Sequence, residues 1–155
     1  MLTALVVLGS SAAVAVTAVL AVLLWVRRRV FVTEVSGVSM LPALRQGDRM
    51  LAERANRRTV IVPRQLVVLR DPETPVLRDE RDRRRPNYLV KRVAAVAGDP
   101  VPEGVPGGRG SGPRTVPDGF VAVLGDNSDH STDSRRFGLV PVGRVVGTVL
   151  RRLEG

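Results

Sequence analysis

The sequence contains no cysteine and a single histidine, and aromatic residues make up only 3% of it. The missing cysteine excludes disulfides, thiolate nucleophiles and Cys-based metal sites, and one histidine excludes a multi-histidine metal site. We therefore expect neither a metal nor another cofactor. So few aromatic side chains argue against base stacking and against a nucleic-acid partner. The net charge of +9 instead suits an anionic membrane surface.

Lysine is almost absent as well. The chain has 24 basic residues, and Lys91 is the only lysine among them. Arginine supplies positive charge as well as lysine does, but it cannot give up its proton near neutral pH. Position 91 therefore either requires an amine that can become neutral or reflects codon bias and chance. Composition alone does not separate these two interpretations.

Residues 2–26 contain no charged side chain, and three consecutive arginines follow them. A helix of this length is about 37 Å long, whereas the hydrocarbon core of a bilayer is about 30 Å thick. Trp25 occupies the position of an interfacial aromatic. A cleaved signal peptide would need a basic region before a shorter apolar core. The pattern predicts a transmembrane anchor at residues 1–29 and a single domain at residues 30–155.

The rest of the sequence alternates short β-rich segments with turn signals, and no amphipathic helical pattern follows residue 30. The predicted strands are residues 30–35, 49–53, 65–69, 88–97, 120–124 and 145–150. This pattern predicts a mainly β fold. Residues 100–117 read as a loop rich in glycine and proline. The charged run at 78–85 is typical of a solvated loop, with docking to anionic lipid headgroups as the alternative.

One predicted strand holds Lys91 among apolar residues that include Val90 and Val93. Burial there would lower the pKa of the lysine, because the charged form loses its solvation. A neutral amine within hydrogen-bond reach of Ser39 could take the hydroxyl proton and later deliver it to a leaving amine. The residues alone leave this Ser–Lys pair a hypothesis, because serines are common and the strand is itself a prediction.

Three segments, taken together, are specific: SGVSMLP at 36–42, LVKRVAAVAGD at 89–99 and GDNSDHSTDSRRFGLVP at 125–141. In content and order they resemble the membrane-bound signal peptidase I family of Ser–Lys proteases. The resemblance implies that Ser39 is the nucleophile and that Lys91 is the general base. It also implies a mostly antiparallel β structure, sheet or barrel, with the catalytic groove close to the membrane.

The same resemblance assigns supporting roles to the third segment. It implies that the Ser131 hydroxyl orients the Lys91 amine, and that Asp133 supports the site by pairing with Arg135. The residues that it implies for shaping the loop are Gly125, Asp126 and Asn127.

Around the nucleophile, the backbone N–H of Ser39 is the expected oxyanion donor. Some family members add a serine hydroxyl two residues earlier, where this chain has Gly37. A second donor must therefore come from elsewhere, with Ser36 as a candidate. Met40 is expected to pack against the stem of Lys91 or, equally, within the core.

Two further positions need interpretation. A Gly-Asp pair usually precedes the strand at 66–69 in this family, and here Arg64 and Gln65 replace it, which leaves that turn uncertain. His130 suggests a Ser–His–Asp arrangement with Asp126 or Asp133, but a lone histidine in a polar loop is more often simply solvated.

The resemblance implies a membrane-bound endopeptidase that removes N-terminal signal peptides from exported preproteins, near the secretion translocon. It places the catalytic domain of a single-pass cell-membrane protein outside the cytoplasm, whereas the three arginines after the apolar segment predict the cytoplasmic side. We follow the resemblance. Two alternatives remain: a maturation peptidase with one dedicated precursor (a pilin, a peptide or a metalloenzyme), or a non-enzymatic, membrane-tethered basic domain that binds anionic lipid or a partner.

Overall fold

The computed structural model describes residues 2–72, 88–106 and 115–153, with side chains described from Val16 onward. Its helices and strands are α1 (Leu2–Arg29), β1 (Val30–Glu34), β2 (Arg49–Arg54), β3 (Leu66–Arg70), β4 (Tyr88–Ala95), β5 (Phe120–Leu124), α2 (Ser134–Phe137), β6 (Val140–Pro141) and β7 (Val145–Leu153). Short 3-10 turns occupy Ser128–His130 and Val142–Arg144. The predicted charged loop at 78–85 lies outside the described residues.

Helix α1 ends in the run of three arginines, where positive charge interacts favourably with the C-terminal end of the helix dipole. The guanidinium of Arg29 lies 5.1 Å from the centre of the Trp25 ring. Within the described part of the chain, no helix is both long enough and apolar enough to cross a membrane. The transmembrane anchor therefore stays a prediction.

The seven described strands form one antiparallel sheet in the order β1-β2-β7-β3-β4-β5-β6. The register shifts within β2, within β3 and within β4. Each such irregularity bends a strand and increases its twist, so the sheet curls instead of lying flat. The sheet confirms the prediction of a mainly β, antiparallel domain.

The central strand β3 is buried on both faces, and its side chains alternate between two hydrophobic clusters. Val68 packs with Met40, Met50 and other residues of the first cluster. Val67 and Leu69 belong to the second cluster, which includes residues of β4, β5 and β6. This two-residue alternation is what a pleated strand imposes, and it fixes which face of β4 each of its residues occupies.

The structure differs from the predicted elements where segments are short. Four residues of α2 and two of β6 are too few to show a hydrophobic period, so the sequence does not predict them. Strand β4 ends at Ala95, and a turn follows in which the Asp99 carboxylate accepts from the backbone N–H of Val96 at 3.0 Å. Within the predicted loop at 100–117, Pro100 and Thr115 form an isolated β-bridge.

The turn before β3 forms without the glycine expected there. Arg64 adopts a φ of 69°, in the left-handed region that glycine occupies most easily. The Gln65 side chain accepts from the backbone N–H of Val62 at 3.3 Å. Arg64 therefore takes the glycine conformation at some cost in backbone strain.

Candidate active site

Strand β4 places Lys91 on the same face as Val93, and opposite Val67 of β3. Both valines belong to the second cluster, so the lysine stem lies in apolar surroundings. Its side chain is 2% exposed. The Lys91 Nζ atom lies 2.7 Å from the Ser39 Oγ and 3.1 Å from the Ser131 Oγ. The sheet thus brings together three side chains that are far apart in the sequence.

The pKa of Lys91 lies below its ordinary value of 10.5, and burial is the main cause. The Asp133 carboxylate acts in the opposite direction, since a nearby negative charge favours the ammonium form. Arg135 adds to the lowering by charge repulsion. The Lys91 amine therefore loses its proton more readily here than it would in water.

Ser39 lies on the turn between β1 and β2, where Gly37 adopts a φ of 84°. This turn is closed by a hydrogen bond from the N–H of Leu41 to the carbonyl of Val38 at 3.1 Å. Met40 is buried in the first cluster. Of the two expectations for Met40, this position agrees with packing within the core. Because Met40 is fixed in the core, the neighbouring Ser39 side chain is held at the surface of that core, half-buried.

The loop after β5 is tied directly to this turn. The backbone N–H of Asn127 donates to the Ser39 carbonyl at 3.0 Å, and the Asn127 side-chain amide donates to the Val38 carbonyl at 3.1 Å. A Cβ atom at Gly125 would overlap the Ser131 Oγ and lie 2.6 Å from the Ser39 carbonyl oxygen. The two backbone segments can therefore approach this closely only with glycine at position 125.

Asp133 is completely buried, and its carboxylate accepts several hydrogen bonds within the loop that follows β5. Its carboxylate accepts from the N–H of Gly125 at 2.8 Å and from the Arg135 side chain at 2.6 and 3.0 Å. Burial alone raises the pKa of this carboxyl. The hydrogen bonds from Arg135, from the Gly125 N–H and from the Ser131 hydroxyl outweigh burial and lower its pKa to about 2.

A second ion pair joins the same loop to β4. The Arg92 guanidinium donates to both carboxylate oxygens of Asp126, at 2.8 and 2.7 Å. It also donates to the Arg64 carbonyl at 3.0 Å. This two-point contact is directional as well as charged, and it fixes the start of the loop next to the strand that carries Lys91.

The sequence profile of a family described as "Signal peptidase, peptidase S26" matches residues 9–103 and 107–153. The chain belongs to this peptidase family. Membership confirms the resemblance drawn from the three segments, and it makes the chain a serine peptidase of the signal peptidase type.

Individual relatives agree. The chain is 37% identical to mitochondrial ATP-independent inner membrane protease subunit 1b of Arabidopsis thaliana over 79% of its own length and 69% of the relative. It is 31% identical to mitochondrial inner membrane protease subunit 1 of Xenopus tropicalis over 76% of its length and 65% of the relative. A probable signal peptidase I-2 of Synechocystis is 30% identical, with 88% and 70% covered. The first two names contain the words "inner membrane", which supports an association of this chain with membranes.

His130, next to Ser131 in the sequence, is exposed to solvent. Ser36, the candidate second oxyanion donor, is also exposed on the turn that carries Ser39. Within the described residues, no group of three or more histidine, cysteine or acidic side chains is arranged to hold a metal ion.

Sequence reasoning missed the part played by Arg92. Arg92 and its ion-pair partner Asp126 are 34 residues apart in the sequence. They meet because β4 and β5 are antiparallel neighbours with Arg92 opposite Leu124. The available signal was a basic residue directly after Lys91 together with an acidic residue directly after Gly125. That signal becomes informative only once the two strands are paired.

Proposed function

We propose that this chain is a membrane-bound serine endopeptidase that cleaves N-terminal signal peptides from exported preproteins by a Ser–Lys dyad. Ser39 acts as the nucleophile and Lys91 as the general base. The observation that supports this most strongly is the distance of 2.7 Å between the Lys91 Nζ and the Ser39 Oγ, inside a niche that lowers the lysine pKa.

In the acylation step, the neutral Lys91 amine takes the proton of the Ser39 hydroxyl while Oγ attacks the scissile carbonyl carbon. The electron pair of that carbonyl moves onto its oxygen and forms a tetrahedral intermediate. When the C–N bond breaks, the Lys91 ammonium delivers the proton to the leaving amine. The products of this step are an acyl ester on Ser39 and a neutral lysine.

Deacylation repeats the same sequence with water. Lys91 takes a proton from water, the hydroxide attacks the ester carbonyl, and the proton returns to the Ser39 oxygen as the acid leaves. The Ser131 hydroxyl lies 3.1 Å from the Lys91 amine. This contact keeps the amine directed towards Ser39. The buried Asp133 carboxylate stabilises the transient ammonium, since its charge favours the protonated lysine.

The oxyanion of the intermediate needs hydrogen-bond donors aimed at it. The backbone N–H of Ser39 is the first donor in this proposal. Gly37 supplies no side-chain donor, so the second is assigned to the exposed hydroxyl of Ser36 on the same turn. Ser39, Lys91, the substrate and water supply every proton and electron pair that moves in acylation and deacylation.

The substrate binds as an extended segment that pairs its main chain with a strand edge, while small pockets select side chains. Small residues just before the cut, in an A-x-A-like pattern, fit this mode. Residues 1–29 form the single-pass anchor in this proposal, and residues 30–155 form the catalytic domain outside the cytoplasm, near the secretion translocon. The names of the relatives, which include the words "inner membrane", support the membrane association in this proposal.

The proposal is tested by cleavage of a preprotein by three purified variants. Lys91→Arg should lower kcat by about 100- to 10,000-fold, because it removes the general base. Ser39→Ala should lower kcat at least as much, because no acyl-enzyme can form without the nucleophile. His130→Ala should retain wild-type turnover. Wild-type turnover by Lys91→Arg would rule out lysine as the base, and loss of activity in His130→Ala alone would replace the dyad with a histidine-based mechanism.

A further inference from the structure

A concave surface lies where the end of α1 meets the end of β2, separate from Ser39 and Lys91. We call it the basic groove; its volume is about 900 Å³. Its lining includes the arginines Arg28, Arg29, Arg54, Arg57 and Arg58, together with the acidic Glu53. Five guanidinium groups against one carboxylate give the groove a strong positive potential, which attracts an anionic ligand.

Two of these arginines are held by aromatic rings. The Arg29 guanidinium lies 5.1 Å from the centre of the Trp25 ring, and the Arg54 guanidinium lies 5.0 Å from that of Phe31. Arg29 also lies 4.0 Å from Glu53, at the limit of an ion pair. Stacking fixes the plane of a guanidinium but leaves its N–H groups available, and that fork matches the oxygens of a phosphate.

The remaining side of the basic groove is preorganised by a tight turn. The Asn56 side chain accepts from the backbone N–H of Arg58, and the Thr59 hydroxyl accepts from that of Asn56, both at 2.8 Å. The N–H of Ala55 donates to the Val146 carbonyl and ties the turn to the sheet. Arg57 and Arg58 therefore project from a fixed backbone, which reduces the entropy lost on binding an anion.

The surroundings of the basic groove favour a membrane surface over an acidic peptide. Val60 follows the turn and is 77% exposed, and Val62 is also exposed. Leu24 and Trp25 of α1, just before Arg28 and Arg29, are also uncovered by the rest of the described chain. Exposed aliphatic and aromatic side chains next to clustered arginines are typical of a surface that contacts headgroups and the outer acyl region.

We propose that the basic groove binds the phosphate of anionic phospholipid headgroups and so holds the catalytic domain against one leaflet of the membrane. This inference rests on the membrane location in the proposed function, but it does not depend on proteolysis. A Ser39→Ala chain should bind lipid as the wild type does, so failure of the dyad proposal and failure of the lipid proposal give different results.

The test uses the full chain in neutral detergent micelles, with bound lipid counted by native mass spectrometry. Dioleoylphosphatidylglycerol is titrated against dioleoylphosphatidylcholine. The double variant Arg57→Gln/Arg58→Gln is compared with the matched control Arg45→Gln/Arg70→Gln, which loses the same charge outside the groove. Each arginine near an anionic surface contributes about 1 kcal/mol. We therefore expect the groove variant, which loses two arginines, to bind phosphatidylglycerol about 30-fold more weakly, and the control to bind it as the wild type does.

Three results would overturn the proposal. Equal binding of the two lipids would show that the headgroup charge is not recognised. Equal weakening in both double variants would show general charge attraction without a site. Complete displacement of phosphatidylglycerol by inorganic phosphate at the same concentration would assign the basic groove to a free anion instead of a lipid surface.

Discussion

At the scale of single residues, Lys91 combines the proposed chemistry with a cost to stability. Its pKa is lowered by folding, so between that lowered pKa and 10.5 the unfolded chain binds more protons than the folded one. Stability linked to this group therefore rises with pH across that interval, and is lowest where the buried amine is charged. The fold compensates for that cost with the apolar contacts that surround β4, which is how a functional site is commonly supported.

Gly125 provides a sharp test of the close approach between the two backbone segments of the site. Gly125→Ala places a methyl group against the Ser131 hydroxyl and the Ser39 carbonyl. We expect it to lower kcat on the order of 100-fold, because the dyad is displaced, and to lower the free energy of unfolding by about 1–3 kcal/mol.

The matched control for that variant is Gly143→Ala, since a Cβ atom at Gly143 would have no neighbour within 4 Å. Cleavage rates and denaturant unfolding of both variants measure the effect. If Gly125→Ala and Gly143→Ala behave alike, the loop does not require glycine at its start.

Asp133 gives a prediction about pH. Its folded pKa of about 2 lies below its ordinary value of 3.8, so the stabilisation it contributes is complete above about pH 4 and is lost as pH falls towards 2. This contribution is about 2 kcal/mol. Compared with the wild type, Asp133→Asn should therefore have a lower free energy of unfolding at pH 6, and the difference should be small at pH 2. Denaturant unfolding at both pH values measures the difference, and an equal loss at the two would contradict the assignment.

At the scale of elements, the strained turn before β3 forms without the glycine that the family resemblance led us to expect. Arg64 holds a left-handed backbone that costs about 1–2 kcal/mol in a residue other than glycine. Glycine removes that strain but loses more entropy on folding, about 0.5–1 kcal/mol. Arg64→Gly should therefore raise the free energy of unfolding by up to about 1 kcal/mol.

The control for the turn is Arg45→Gly, at an exposed loop position without a positive φ. That variant should be neutral or destabilised, because only the entropy term applies there. Thermal unfolding of both variants measures the contrast. A destabilised Arg64→Gly would show that the arginine side chain contributes more than its backbone strain removes.

The strands were predictable where apolar residues cluster over five or more positions, as in β4 and β5. The elements α2 and β6 were not, because their form depends on the loop that Asp133 organises and on pairing with β5. Within the site, the chemistry of a buried lysine could be inferred from its neighbours. Its partner could not, because Ser39 lies 52 residues away and only the family resemblance selected it from the other serines.

At the scale of the whole molecule, the antiparallel sheet brings the turn of Ser39 and the loop of Ser131 together at Lys91 of strand β4. The basic groove lies at the junction with α1. The two regions differ in character, since one buries an amine whose pKa is lowered and the other presents permanent positive charge. Arginine suits permanent positive charge, whereas lysine can lose its proton, so the lysine at position 91 fits the proposed role of general base.

The presence of one lysine also makes the central claim directly measurable. Protein grown on ¹⁵N-labelled lysine carries its labelled amine at Lys91 alone, and the signal of that amine can be followed by NMR as pH changes. We expect the amine to titrate below 10.5, and kcat/KM for a preprotein to rise with pH through the same midpoint. Titration at the ordinary value, or cleavage that does not change while the labelled amine loses its proton, would contradict the account.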